Sequence, residues 1–299
     1  MDKIENDVFS GINNTINEII WNNIPKDQVL FHYTNCDSLI SIIENKEYWL
    51  SSIELMNDKE EVDYSLKLVS EVVNGLDLIV DRKKELVENF LKYKKMSAIN
   101  TFVLSLSMEQ DALILWNNYG KNEGYNLGLC LKTLLDDLNN DNVEIVKDSV
   151  CQLIHGRVIY EINEQKKILS TLFYAYHKLY RYKQKIGIKN AENDGSVVKI
   201  WTTIMLYSSL MKSDLHRIEN EFRILLTVPD DSEAIEFRSR NGLILPYIKM
   251  RFDNFNSLAK ITIGPKIDDK ITEETLKYFI EKKIKKEILI ETSALKLRF

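Results

Sequence analysis

Apolar residues follow a helical spacing in some segments of the chain and form short strand-like runs in others. Ile4, Val8, Ile12 and Ile16 recur every four residues, which predicts an amphipathic helix over residues 4–22. Further helices are predicted at 36–45, 59–74, 78–95, 112–118 and 272–284. Strands are predicted at 29–33, 48–53, 101–107, 125–131, 157–160, 221–228, 234–238, 243–251, 259–263 and 286–291.

A long helical block separates the first group of strands from the second. Ile168, Leu172 and Tyr176 share one face of a helix, and a polar turn then leads into an apolar helix over residues 197–211. Two helices joined by a short turn form a hairpin. We therefore predict a helical hairpin over residues 164–212.

The distribution of the strands predicts the fold class. They cluster before and after the hairpin without regular β-α-β alternation, which favours an α+β fold over a doubly wound parallel sheet. We expect one α+β domain over residues 1–299 with a mixed, mostly antiparallel sheet. The hairpin at 164–212 is expected to be an insertion within that domain.

Composition and charge narrow the class of protein. The apolar content of 44% and the charged content of 28% are ordinary for a globular chain of 299 residues, and the net charge of −5 gives no general attraction to nucleic acid or anionic membranes. The most apolar segment, 197–211, is shorter than the roughly 20 residues that a membrane span needs, and it carries Lys199. The N-terminus lacks the apolar stretch of a signal peptide. We expect a cytoplasmic protein without a membrane segment.

Several familiar motifs are missing from the sequence. Cys36, Cys130 and Cys151 form no C-x-x-C pair, and the four histidines have no metal-ligand spacing. No glycine-rich nucleotide fingerprint and no G-x-S-x-G serine elbow is present. The sequence therefore predicts no metal site, and it favours neither a Rossmann-type nor a P-loop nucleotide site.

Polar side chains occur in the first two predicted strands. His32, Tyr33 and Thr34 end the first strand, and Ser51 and Ser52 end the second. This arrangement can place an imidazole, a phenol and hydroxyl groups around one cleft. The alternative for His32 is a hydrogen-bonded structural histidine.

A second group of candidates lies near the strand at 221–228. Glu219, Glu221 and Arg223 alternate along the chain, so on a strand all three would project from one face. Arg223 could hold a carboxylate by two hydrogen bonds, or the three side chains could simply be a solvated face. Ser105 and Ser107 likewise share one face of the strand at 101–107, where they could line a pocket or cap the following helix.

The order and spacing of short motifs resemble the bacterial family known as domain of unknown function 2971, over about residues 30–266. Lys59 and Leu104 depart from its usual pattern. The matching motifs are His32-Tyr33-Thr34, Leu50-Ser51-Ser52, Asn57-Asp58 with Glu60-Glu61, Leu104-Ser105-Leu106-Ser107, Trp116-x-x-Tyr119-Gly120, Glu219-x-Glu221-x-Arg223 and Ile263-Gly264-Pro265.

The opening strand and the helix after it are also similar to the first block of ADP-ribosyltransferase folds, although no glycine follows the helix and Tyr33 replaces a small residue. That resemblance implies an ADP-ribosyltransferase-like sheet and NAD as substrate. It implies Glu221 and His32 as catalytic residues, with Glu219 as the alternative carboxylate. The implied NAD-binding residues are His32, Tyr33, Thr34, Ser51, Ser105 and Arg223.

These resemblances lead to a first hypothesis and two alternatives. The first is an enzyme that cleaves the nicotinamide–ribose bond of NAD and transfers ADP-ribose to a protein or nucleic-acid acceptor, as a toxin or phage-defence effector would. The second is a non-catalytic sensor or protein-interaction module on the same fold, with the hairpin at 164–212 as its partner surface. A nucleic-acid-processing enzyme is the least favoured, because neither a metal-ligand cluster nor a basic tract supports it.

Overall fold

The structure is a computed structural model that describes residues 3–53, 60–120, 123–141, 151–240, 242–252, 254–267, 270–284 and 286–295. The Asn57–Asp58 motif and the first residue of the helix predicted at 59–74 lie outside these residues. The helices are α1 (Lys3–Ile20), α2 (Cys36–Asn45), α3 (Glu60–Gly75), α4 (Val80–Asn100), α5 (Leu113–Leu115), α6 (Leu131–Asp141), α7 (Ile162–Lys185), α8 (Gly195–Ser208) and α9 (Lys270–Lys283). The strands are β1 (Val29–Thr34), β2 (Glu47–Ser52), β3 (Thr101–Ser107), β4 (Tyr125–Cys130), β5 (Gln152–Arg157), β6 (Glu221–Thr227), β7 (Ile235–Arg240), β8 (Leu243–Arg251), β9 (Leu258–Ile263) and β10 (Leu289–Thr292).

Internal contacts divide the chain into two compact units. The first, here called the helical unit, comprises Met1–Asn23, Ser52–Thr101 and Ile154–Arg217. The second, here called the sheet unit, comprises Ile24–Ser51, Phe102–Leu153 and Ile218–Phe299. The expectation of one domain over the whole chain stays a prediction, since two compact units can belong to one domain or to two.

The helical unit packs around the two helices that occupy the predicted hairpin. α7 and α8 pack on each other, α1 and α3 pack on α7, and α4 packs on α8. The apolar face predicted for α7 is fully buried at Ile168 and Leu172. Trp201 of α8 fills the centre, with its ring 5.1 Å from that of Tyr93 and 4.9 Å from that of Tyr176. Aromatic pairs at such distances add to the stability gained from burial.

A buried ion triad also holds this unit together. Lys183 of α7 bonds Glu5 of α1, and its Nζ lies 3.0 Å from Asp194, the residue that caps the start of α8. The three side chains are largely shielded from water. Lys183 pairs with both carboxylates, so replacing it would remove the positive charge that each of them contacts.

The sheet unit confirms the predicted mixed, mostly antiparallel sheet. Its strands run in the order β10-β9-β4-β1-β3-β2-β8-β7, and β6 pairs with β3 and, where Gln152 faces Thr227, with the start of β5. β1 pairs antiparallel with β3 and β4, β2 and β7 pair antiparallel with β8, and β9 pairs parallel with β10. The structure therefore has the predicted α+β class.

Candidate functional site

β1 directs His32 and Tyr33 to opposite faces of the sheet, because successive side chains of a strand alternate. Tyr33 packs with Phe31, Leu115 and Trp116 in one hydrophobic cluster, and its ring lies 4.8 Å from that of Trp116. Trp116 is fully buried. His32 and Tyr33 therefore lie in different environments, one on each face of the sheet.

His32 lies on the other face, where its ring meets that of Tyr48 edge-on at 5.4 Å. Burial lowers the pKa of His32 to about 4, and a hydrogen bond with the backbone of Ser105 opposes that shift only in part. The imidazole is therefore neutral at pH 7. It can donate one hydrogen bond and accept another, but it supplies no positive charge.

Two hydroxyl groups near His32 have their polar atoms buried without a hydrogen-bond partner among the described residues. They are the hydroxyl of Tyr48 and the hydroxyl of Ser105. Buried polar groups are normally hydrogen-bonded, so each unsatisfied one needs an explanation, such as a bound water or a ligand. Tyr48 touches the imidazole directly, and Ser105 is bonded to it through its backbone.

Glu221 and Arg223 form a buried ion pair at the start of β6. Arg223 Nε donates to Glu221 Oε1 at 2.8 Å, and Arg223 Nη2 donates to Glu221 Oε2 at 3.0 Å. The two side chains are 7% and 1% exposed, and the whole of β6 is buried. This two-point geometry fixes both the position and the plane of the carboxylate.

The prediction that Glu219 projects from the same strand face is wrong. β6 begins at Glu221, and Glu219 ends a 3-10 turn that runs from Asp214. Asn220 between them has a φ of +41°, in the left-handed region that asparagine tolerates better than most residues. The turn at Asn220 breaks the alternation, so Glu221 remains the carboxylate that shares a face with Arg223.

The end of β3 and the loop that follows it make hydrogen bonds to the residues just before β6 and to Tyr33. Ser107 Oγ donates to the carbonyl of Glu219 at 2.7 Å, and Asn220 Nδ2 donates to Glu109 Oε1 at 2.8 Å. The Tyr33 hydroxyl donates to the carbonyl of Glu109 at 2.8 Å and accepts from the Ala112 amide at 3.1 Å. Burial raises the pKa of Tyr33, which therefore stays protonated and able to donate.

Asp111 anchors the same loop and was not singled out as a site residue from the sequence. It accepts hydrogen bonds from Trp116 Nε1 at 2.6 Å, from Ser293 Oγ at 2.7 Å and from the Ala294 amide at 2.8 Å. Nothing in the spacing of these residues indicates the contact, because Ser293 is 182 residues away in the chain. Ser107 likewise bonds the Glu109 amide and the start of β6 instead of capping a helix.

Ser51 lies away from His32. Tyr48, which touches His32, and Ser51 are three residues apart on β2, and their unbroken pairing with β8 places them on opposite faces. The Ser51 hydroxyl instead accepts a hydrogen bond from Arg238 Nη2 at 2.7 Å. The structure thus brings Tyr48, but not Ser51, to the His32 face. Ser107 pairs with Phe31, so by alternation the Ser105 side chain lies on the face of Phe31 and Tyr33, and Ser105 reaches His32 through its backbone alone. The Thr34 side chain is buried, and its carbonyl closely approaches the backbone at Gly124.

Two absences hold for the residues that the structure describes. No group of three or more histidine, cysteine, aspartate or glutamate side chains is placed to hold a metal ion there. No helix in this part of the chain is long and apolar enough to cross a membrane.

Comparison with known proteins gives one match. The sequence model of a family described as "Protein of unknown function (DUF2971)" matches residues 115–224. This stretch contains Trp116, Glu221 and Arg223, whereas the motifs at 32–34 and 104–107 lie outside it. No curated protein and no solved structure is significantly similar to the chain. The match supports the resemblance to that family from the π-helical turn at Trp116 to the start of β6, and the family's description assigns no activity.

Proposed function

We propose that this chain is an NAD-consuming enzyme of the ADP-ribosyltransferase type, which cleaves the nicotinamide–ribose bond and transfers ADP-ribose to a macromolecular acceptor. The observation that carries the proposal is the Glu221 carboxylate, fixed by Arg223 on a strand that is buried throughout. A buried ion pair often adds little stability compared with apolar residues of similar size. A catalytic role for the Glu221 carboxylate would explain the presence of this ion pair, which its contribution to stability does not.

The reaction needs a carboxylate of this kind. As the bond between ribose C1′ and the nicotinamide nitrogen breaks, its electron pair leaves with the nitrogen, and the positive charge of the pyridinium passes to the ribose. A fixed carboxylate beside the ribose stabilises that charge without having to reorganise. The acceptor then bonds C1′ and loses a proton.

Glu221 can serve in this way although Arg223 binds both of its oxygens. A carboxylate offers about four lone-pair positions, and the hydrogen bonds from Arg223 use two of them. The carboxylate can therefore face the developing charge of the ribose while Arg223 holds it in place. Arg223 is then a positioning residue, because it holds the carboxylate and contacts no reacting atom.

The His32 face fits the polar groups of NAD. A neutral imidazole can donate to a ribose or amide oxygen, and the unsatisfied hydroxyl of Tyr48 can bond the same ligand. Tyr33 and Asn220, which precedes β6, both bond Glu109 in the loop after β3. These contacts would help to fix the position of β1, which carries His32, relative to the start of β6, which carries Glu221. Ser51 has no place in this arrangement, because it lies on the opposite face of β2.

One observation favours a non-catalytic module instead. Both oxygens of Glu221 are already bonded by Arg223, which is the geometry of a structural ion pair as much as of a poised carboxylate. On this alternative the protein neither binds nor cleaves NAD, and its fold serves as a sensor or interaction surface.

The experiment is a nicotinamide-release assay on purified protein with NAD, with and without protein and nucleic-acid acceptors. Glu221→Gln keeps the size of the side chain and removes its charge, so we expect release to fall by about 10²-fold or more. Asp137→Asn is the matched control, because Asp137 is also buried in the sheet unit and accepts a hydrogen bond from the Ser257 amide at 3.1 Å. It should retain release within about threefold.

Two results would contradict the proposal in different ways. Unchanged release by folded Glu221→Gln would reject Glu221 as the catalytic carboxylate, and Glu219→Gln would then test the remaining candidate. Wild-type protein that neither binds nor cleaves NAD with any acceptor would reject the enzyme and favour the interaction module. Circular dichroism and urea unfolding of each variant establish that it is folded.

A further inference from the structure

A cluster of aromatic and charged side chains covers the face of β2, β8 and β7 to which Ser51 belongs. Ser51 pairs with Tyr247, and Tyr247 pairs with Glu236. Trp49 pairs with Lys249 on the same face. Since side chains alternate along each strand, the cluster continues along β7 and β8 at every second residue.

Arg238 lies at the centre of this cluster. Its guanidinium carbon is 5.3 Å from the centre of the Trp49 ring and 5.6 Å from that of the Tyr247 ring. Nη2 donates to Ser51 Oγ at 2.7 Å. Cation–π contacts and this hydrogen bond hold the side chain in one orientation. Arg238 Nε is buried and has no hydrogen-bond partner among the described residues.

Among the residues that the structure describes, the carboxylates near Arg238 are engaged elsewhere. Glu236 accepts from the Tyr247 hydroxyl at 2.8 Å and forms an ion pair with Lys249 at 2.8 Å. Glu47 accepts from Trp49 Nε1 at 2.8 Å. Burial lowers the pKa of Arg238, the positive charge of the nearby Arg240 lowers it further, and no carboxylate is among the causes that oppose this shift. A partly buried cation without an opposite charge is costly, so an anionic ligand would relieve the cost.

The described residues of this face carry more positive than negative charge. Its cationic residues are Arg238, Arg240, Lys249 and Arg251, and its anionic residues are Glu47 and Glu236. This surplus stands out in a chain whose net charge is −5. Anions approaching the protein are therefore attracted to this face more than to the average surface.

We infer that Arg238 and Arg240 form a binding site for the phosphate group of an organic phosphate. The two residues project from the same face of β7, about 7 Å apart along the strand, so their guanidinium groups can bracket one phosphate or a diphosphate. Guanidinium groups match phosphate oxygens with paired hydrogen bonds. A phosphate monoester carries about −1.5 to −2 charges at neutral pH, which suits two arginines better than a carboxylate does.

This site is separate from the proposed NAD-cleaving site. It contains neither Glu221 nor Arg223, and Ser51 lies on the face of β2 opposite the one that touches His32. The inference therefore does not depend on the proposed function. Glu221→Gln should leave binding at the Arg238 site unchanged.

The test is isothermal titration calorimetry of the full chain at low ionic strength with three probes: pyrophosphate, ADP and a short single-stranded oligonucleotide. We expect binding that weakens as salt is added. Arg238→Gln and Arg240→Gln should each weaken it at least about tenfold, because each loses a charged hydrogen-bonding pair with phosphate. Arg240 is exposed, so its variant tests the site even if Arg238→Gln fails to fold.

Arg82→Gln is the matched control. Arg82 also stacks on an aromatic ring, that of Tyr180 at 4.3 Å, but it is paired with Glu85. Its replacement should leave the affinity unchanged. Binding of ADP and pyrophosphate would identify a free phosphate compound as the ligand, whereas binding of the oligonucleotide alone would identify a nucleic-acid backbone. No binding of any probe at millimolar concentration, or equal binding by wild type and Arg240→Gln, would overturn the inference.

Discussion

Acidification should destabilise the protein through His32. The pKa of this histidine falls from 6.5 to about 4 on folding, because burial disfavours the charged ring. Between these two pH values the unfolded chain binds a proton that the folded chain does not, so stability falls as the pH falls through this range. Each pH unit between the two pKa values costs roughly 1.4 kcal/mol of unfolding free energy. The full loss is therefore about 3 kcal/mol, and about 2 kcal/mol of it occurs by pH 5.

The assay is urea unfolding of wild type and His32→Gln at pH 7.5 and pH 5.0. Carboxylates also titrate over this range, and burial also lowers the pKa values of His155 and His177. These groups are common to both proteins. The informative quantity is therefore the difference between the stability that wild type loses and the stability that His32→Gln loses between pH 7.5 and pH 5.0. His32→Gln should lose about 2 kcal/mol less than wild type on acidification.

A proton NMR titration gives the same information at the residue itself. The imidazole signal that is missing from His32→Gln should stay in its neutral position down to about pH 5. A midpoint near 6.5, or equal losses of stability by the two proteins, would refute the reasoning. Either result would mean that the ring is not enclosed, and the proposed role of a neutral His32 beside NAD would lose its basis.

Three further substitutions, two of them with a matched control variant, test the packing that supports the site and the helical unit. Tyr33→Phe removes the hydroxyl that bonds Glu109 and should cost about 1–3 kcal/mol in urea unfolding. Gly124→Ala would place a Cβ atom 2.2 Å from the carbonyl oxygen of Thr34, so it should lower the melting temperature sharply. The control is Gly11→Ala, in open space within α1, which should be neutral or slightly stabilising. Lys183→Met should cost about 3–5 kcal/mol of unfolding free energy because it removes the cation that pairs with the buried Glu5 and the half-buried Asp194. Lys167→Met, at an exposed ion pair, should cost less than about 1 kcal/mol.

The spacing of apolar residues predicted the helices well where one face is buried along a whole helix. α1 and α7 are of this kind, and both occur where the pattern indicates. The strand predicted at 157–160 lies instead at Gln152–Arg157. Val158, Ile159 and Tyr160 are buried beyond its end. Ile159 there forms an isolated parallel bridge with Met211. An apolar run indicates burial, and it does not distinguish a full strand from a segment that is paired at a single residue.

The candidate site was predictable only where it depends on neighbours in sequence. Alternation placed Glu221 and Arg223 on one face, and they form the expected two-point ion pair. The left-handed turn at Asn220, which removes Glu219 from that face, has no signature in the spacing. The faces of His32 and Ser51 depend on pairing between distant strands, and alternation within each strand leaves that pairing open.

The most direct test of the central claim is single-turnover release of nicotinamide from saturating NAD by wild type and Glu221→Gln, both shown to be folded. We predict release by wild type and a loss of about 10²-fold or more in the variant, with substrate binding less affected than the chemical step. Equal rates in the two proteins would contradict the assignment of Glu221. Absence of release by wild type under every acceptor condition would contradict the proposed enzyme itself.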